Sequence, residues 1–273
     1  MEKGGSGTLS ENMSCRKIIY YAIDVNPTYL LMAKNSVRTL RTHNRNIPIR
    51  VFVYGKITKT DRIDFECQGA QVTVRPLPRD LPKTFLKWLP LGELKEQRII
   101  YLDADTFIFA DVEELFTRFR KRLFYARREA GTGSSSEKLG KETIQPQLLP
   151  SELKRVRRTL GSSTVPVFNS GVMIFNRGFG KRMGRKVGFL VSLEERFRNG
   201  ELRYPCVNSY ILEEIAASLT LGKIRGFTWG LIDRETSPWG LEMIGGIVKD
   251  PGIVLHTWHV DYGFGQALAR LSR

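Results

Sequence analysis

From Lys17 onward, short apolar runs alternate with helical patterns, and that alternation confines the chain to an α/β fold. KIIYYAI (17–23) reads as a buried strand closed by the turn signal DVNP. From Thr28, TYLLMAKNSVRTLRTHN sets Tyr29, Ala33, Val37 and Leu40 at the helical period with a polar face opposite. IRVFVYG, ending at Gly55, is a second strand, QVTV (71–74) a third, and TFLKWLPLGEL (84–94) a short helix leading into RIIYLD. The pattern predicts a mixed, mainly parallel central sheet with helices on both faces and right-handed crossovers.

At 273 residues the chain can bury one large core, and no linker divides it, so 15–273 is expected to be a single domain. The Gly/Ser-bearing stretch MEKGGSGTLSENMS (1–14) is expected to be a flexible leader. Residues 130–165 are rich in Gly, Ser and Pro around a short basic helix; so long an irregular excursion predicts a mobile loop or lid. VFNSGVMIFN (167–176) returns to strand character, with Gly171 marking close backbone approach. KRMGRKVGFLVSLEERF and VNSYILEEIAASL read as two helices, and GIVLH as a last strand before the tail WHVDYGFGQALARLSR. No repeat of solenoid period is present.

Cys15, Cys67 and Cys206 are too few and too scattered for a disulfide framework or zinc site, which suggests a reducing, cytoplasmic setting. No apolar run approaches the ~20 residues of a spanning helix. The formal net charge of +15 favours contact with polyanions or the acidic inner face of a membrane. Residues 151–200 hold eleven Lys/Arg against three Asp/Glu, and Arg155, Arg157 and Arg158 are candidates to dock an anionic acceptor.

The chemistry is carried by RIIYLDADTFIFADVEELF (98–116). If the run is one strand, Asp103 and Asp105 project from the same face, and two carboxylates side by side demand compensation. Asp111 is different: with Glu114 it forms a capping-box-like helix start. The uncompensated pair lies where open parallel sheets hold ligands, at a strand's carboxyl end. A hard divalent cation would compensate it, bound through the carboxylates and substrate phosphates. His256, at the end of GIVLH, is a third ligand candidate and favours Mn²⁺ over Mg²⁺; His259 follows it closely.

YLDADTFIFADVEELF resembles the D-x-D segment of the GT-A glycosyltransferases, most closely the retaining, glycogenin-like and galactosyltransferase-like group called family 8. The resemblance runs in order from Lys17 to His256. It implies that Asp24, Asn26 and Tyr29 hold the nucleoside, and that Lys87 lies near the donor's phosphates and sugar. It further implies that Ala104 accompanies Asp103 and Asp105 against the donor, and that Asn169, Ser170 and Gly171 position the sugar. Asp103, Asp105 and His256 would be the metal ligands. The implied activity is transfer of a hexosyl group, with retention, from a nucleotide-sugar, UDP-linked first of all, to a glycan, lipid-linked or protein acceptor.

Two positions depart from the family pattern. Its acid-amide pair aligns with Asn208 and Ser209, making Asn208 the transition-state-stabilising candidate beside Lys87. Its late lysine is missing from HTWHVDYGFG, where Arg270 or Arg273 is the replacement candidate. A sugar nucleotidyltransferase is the alternative enzyme, although DVNPTY lacks that class's Gly-rich basic loop. A non-catalytic polyanion- or nucleic-acid-binding protein is the alternative outside enzymes. No recognised nucleic-acid motif is present and no specific nucleic acid is expected.

Overall fold

A computed structural model describes residues 16–128, 150–163, 168–202, 209–238, 240–244, 246, 249–257 and 262–271. The central sheet comprises β1 (Lys17–Asp24), β2 (Ile49–Tyr54), β3 (Ala70–Arg75), β4 (Arg98–Leu102), β6 (Phe124–Arg128), β7 (Phe168–Phe175) and β8 (Trp229–Ile232). Their spatial order is β3-β2-β1-β4-β7-β6-β8. β1 pairs in parallel with β2 and β4, as do β2 with β3 and β6 with β8; β7 is antiparallel to both β4 and β6. A separate two-stranded sheet joins β5 (Thr106–Ile108) to β9 (Val254–His256).

The helices are α1 (Pro27–His43), α2 (Lys59–Glu66), α3 (Glu113–Arg118), α4 (Pro150–Leu160), α5 (Phe179–Gly184), α6 (Val187–Arg198), α7 (Ser209–Leu221), α8 (Gly240–Ile244) and α9 (Tyr262–Leu271). They cover both sheet faces, as the unbroken apolar run of β1 requires. Ile18 and Tyr20 pack into one core with the 3₁₀ helix Lys83–Gly92 and α4 to α7, whereas Ile19, Tyr21 and Ile23 pack into a second with α1 and α3. Each fully buried aromatic contributes roughly 1.5–3 kcal/mol of transfer free energy, which makes Trp88, Phe52 and Phe175 principal anchors.

Three departures from the sequence expectation have local causes. The run 98–108 is not one strand: β4 stops at Leu102, the chain turns at Asp103–Asp105, and β5 enters the other sheet. The span 181–197 is two helices rather than one. Gly184 lies where a Cβ would meet the backbone of Leu91 and Gly92, so the 3₁₀ helix packs against the break. β6 escapes a hydrophobic reading because it ends in two arginines; Arg127 is buried and donates from Nε to the Ser237 carbonyl at 2.6 Å. Asp111 does start α3, its carboxylate accepting the Glu113 N–H at 2.9 Å, but Glu114 turns to Arg118 instead of closing the capping box. The leader 1–14 and most of 130–165 lie outside the described residues; α4 is the short basic helix expected there. Among the described residues no helix is long and apolar enough to cross a membrane.

Candidate active site

Asp103 follows the last residue of β4, and its backbone N–H donates to the Gly171 carbonyl of β7 at 2.8 Å. The Asp103 carbonyl in turn accepts the Thr106 hydroxyl at 2.8 Å, which closes a turn and swings Asp105 back toward Asp103. The two carboxylates are therefore brought together by a turn, not by a shared strand face. Register does the rest: Thr106 pairs with His256 across β5 and β9, and Thr257 binds the Asp105 carbonyl through its N–H at 3.1 Å and its hydroxyl at 2.6 Å.

His256 Nε2 consequently stands 3.3 Å from Asp105 and 3.8 Å from Asp103. One ligand atom from each of the three residues falls within 4.8 Å of the others. Two carboxylate oxygens and an imidazole nitrogen suit a hard or borderline divalent cation such as Mn²⁺ or Mg²⁺. Gly171 is what makes room: a Cβ there would overlap the His256 imidazole. Ala104, at the apex of the turn, is buried in the core beside α1.

Lys87 reaches the same point from the 3₁₀ helix, whose Lys87 carbonyl is fixed by the Tyr20 hydroxyl at 2.8 Å. Its Nζ donates to Ser170 Oγ at 2.9 Å and stands 3.3 Å from Asp103, 3.8 Å from Glu213 and 5.4 Å from the Tyr101 ring centroid. Burial alone would pull the ammonium pKa down, but the charges of Asp103, Glu213 and Glu214 more than reverse this and hold it above the ordinary lysine value. Tyr101 donates its hydroxyl to Asp103, and burial followed by that carboxylate's charge raises its phenol well above the usual range.

Sequence reasoning missed Glu213 and Glu214, on α7. They are 1% and 7% exposed, values at which a carboxylate needs dedicated partners. Glu213 accepts from the Trp88 indole and, at 2.8 Å, from Ser170 Oγ; Glu214 accepts the Ser170 N–H at 2.9 Å. Burial pushes the Glu213 carboxyl up from its ordinary range, against the opposing pull of Lys87, Trp88 and Ser170. The signal was present as two adjacent acids inside an apolar helical run, LEEIAASL. The cluster thus sets Asp103, Glu213 and Glu214 around one ammonium, with Asp105 beyond them at His256, an acidic excess that a divalent cation would offset.

Asn169 is buried and accepts the Gly171 N–H at 3.1 Å, while its amide reaches Glu214 at 3.4 Å. Asp24, at the carboxyl end of β1, is buried and paired with Lys83. Asn26 is the N-cap of α1, its side chain accepting the Thr28 N–H at 2.9 Å, and Tyr29 is half-buried in the first turn. Asn208, His259 and Arg273 lie outside the described residues; Arg270 is exposed near the end of α9. α4 packs through Val156 and Leu160, and its Arg157 reaches Ser218 in the second half of α7 at 3.4 Å.

No protein-family model and no curated protein sequence matches the chain. Solved structures do. The glycosyltransferase GlyE of Streptococcus pneumoniae TIGR4 superposes with a TM-score of 0.56 at 17% identity, over 88% of this chain and 54% of GlyE. The chain thus spans about half the length of that protein. The galactosyltransferase LgtC, solved with donor and acceptor sugar analogues, gives 0.56 at 14% identity over 93% of this chain and 95% of LgtC. Mouse xyloside xylosyltransferase 1 gives 0.51 at 12% identity over 90% and 98%. The fold is that of the GT-A glycosyltransferases, as the resemblance of the D-x-D segment implied.

Proposed function

We propose that this protein is a metal-dependent glycosyltransferase that moves a hexosyl group from a nucleotide-sugar, UDP-linked first of all, to a glycan, lipid-linked or protein acceptor. The observation that carries this reading is the convergence of Asp103, Asp105 and His256 from a turn and a distant strand, within 4.8 Å, beside a buried lysine. LgtC, which shares the fold over nearly its whole length, was solved with donor and acceptor sugar analogues.

The donor set fits Mn²⁺ or Mg²⁺, which when bound neutralises charge on a leaving nucleoside diphosphate. The remaining roles belong to the chain's own groups. Lys87 keeps its proton and presents a fixed positive charge where a diphosphate oxygen would gain negative charge. Glu213 and Ser170 hold that ammonium in place, so little reorganisation is needed as charge develops. Asn169, Ser170 and Gly171, on the strand beside it, would position the sugar; Glu214 fixes the Ser170 N–H and the Asn169 side chain fixes the Gly171 N–H. Asp24, Asn26 and Tyr29, at the carboxyl end of β1, would take the ribose and base by hydrogen bonding and stacking. Retention is the proposed outcome, with Asn208 as the proposed transition-state-stabilising residue.

The test is a panel of UDP-, GDP- and related nucleotide-sugars with Mn²⁺ or Mg²⁺, read by thermal shift and by donor hydrolysis. Stabilisation by UDP only when the metal is present, abolished in Asp103→Ala and Asp105→Ala, is the expected result. No response to any nucleotide with either metal overturns the reading.

A further inference from the structure

At the end of the sheet opposite the carboxylates, the side built around β6, β7 and β8 is strongly cationic, whereas the neighbouring connection into β4 (93–97) carries Glu93 and Glu96. The connections into β6 (120–123), out of β7 (176–186) and into β8 (222–228) hold ten Lys/Arg and no Asp/Glu. All ten are exposed. They form one surface, because polar contacts stitch the three connections together. The Asn176 amide donates to the carbonyls of Phe119 and Arg122 at 2.6 and 2.9 Å. The Leu123 N–H donates to the Thr228 carbonyl at 3.1 Å, and Arg182 Nη2 donates to the Arg225 carbonyl at 2.7 Å.

Trp229 stands at the edge of this surface. It opens β8, the last strand in the sheet order, and is 36% exposed, the one large apolar side chain at this end among the described exposed ones. Single-stranded nucleic acid is gripped by successive aromatic platforms, and one tryptophan does not supply them. A lone indole bordering a dense cationic surface instead fits the headgroup level of a lipid bilayer, where the ring is buried and its N–H stays wet. Lysines and arginines are attracted to an anionic leaflet when they lie within a Debye length of it.

We propose that the amino end of the sheet is a docking face for an anionic lipid bilayer, with the cationic connections supplying the attraction and Trp229 seating among the headgroups. The eight residues of β1 span the sheet from end to end, roughly 26 Å at 3.3 Å per residue. Docked in this way, the Asp103–Asp105–His256 cluster faces away from the lipid. The inference does not depend on the glycosyl-transfer reading.

Sedimentation with phosphatidylcholine vesicles, with and without about a third phosphatidylglycerol, tests it. Partition onto the anionic vesicles alone, lost at high salt, is expected. The triple variant K121E/R185E/K186E should bind at least about tenfold more weakly, whereas K56E/K59E/R79E, which reverses three exposed cations toward the other end, should bind within about threefold of the parent protein. Anionic vesicles should shift tryptophan emission to the blue in the parent but not in W229F. Equal binding to neutral vesicles, equal losses in the two triple variants, or retention on RNA or heparin without vesicle binding would each overturn the proposal. A blue shift that survives in W229F would overturn the seating of Trp229.

Discussion

Gly171 is the residue on which the three-ligand cluster turns. Its φ is unremarkable, so its role is space: a methyl group there collides with the His256 ring, which is packed on β9 and can retreat only by breaking its approach to Asp105. Gly171→Ala should retain the fold by circular dichroism yet weaken Mn²⁺ binding by at least about tenfold, about 1.4 kcal/mol, read by titration calorimetry. Unchanged Mn²⁺ affinity would remove His256 from the ligand set. Lys87 makes a different test. Its replacement by Met strands the buried carboxylate of Glu213, and breaking a buried pair from one side costs about 3–5 kcal/mol in urea unfolding. A group whose folded pKa is raised contributes stability that is fully present below its unfolded value and lost as pH rises through the folded one. The gap between parent and Lys87→Met should therefore not shrink from about pH 7 to pH 9, below the ordinary lysine value. A gap that closes over that window would mean that Lys87 loses its proton there.

Among the elements, α1 separates a structural role from a functional one. Asn26 is a proposed donor contact whose side chain also caps the helix. Asn26→Ala should cost about 1 kcal/mol as a lost N-cap. Asn26→Asp keeps an oxygen for the Thr28 N–H and should hold stability within about 0.5 kcal/mol, while placing a negative charge near the proposed nucleoside and weakening nucleotide affinity. Equal nucleotide affinity in both variants would leave Asn26 only the cap. The same element scale shows what the sequence could reveal. β1, β2, β4, β7 and the helix after Asn26 were legible because burial on both sheet faces, or on one helix face, writes itself into local periodicity. The Asp103–Asp105 turn was not, since a chain leaving one sheet for another keeps its apolar character across the break. β8 has four residues and β6 a buried arginine, too little period to read. Glu213 and Glu214 show in the sequence only as two adjacent acids in an apolar run. What makes them part of the site is Trp88, Ser170 and Lys87 arriving from other elements, and no local pattern encodes that meeting.

At the scale of the whole molecule, a cluster of partly and fully buried carboxylates gathers at one end of the sheet and a run of exposed cations around β6, β7 and β8 at the other. Each cluster repels itself and reduces stability, but the remedies differ. A divalent cation would relieve the carboxyl end, while simple salt would screen the amino end. The ends are roughly 26 Å apart by strand rise, and the Debye length at physiological salt is about 8 Å. The two effects should therefore be independent and additive. Melting temperature should rise with NaCl between about 20 and 200 mM, and rise again by a separate increment on adding Mn²⁺. Asp105→Ala should lose the Mn²⁺ increment and keep the salt increment. The triple variant K121E/R185E/K186E should do the reverse, because it relieves the repulsion that salt would have screened. If either variant lost both increments, the two ends would be coupled through the sheet, and the proposed separation of a catalytic end from a docking end would fail.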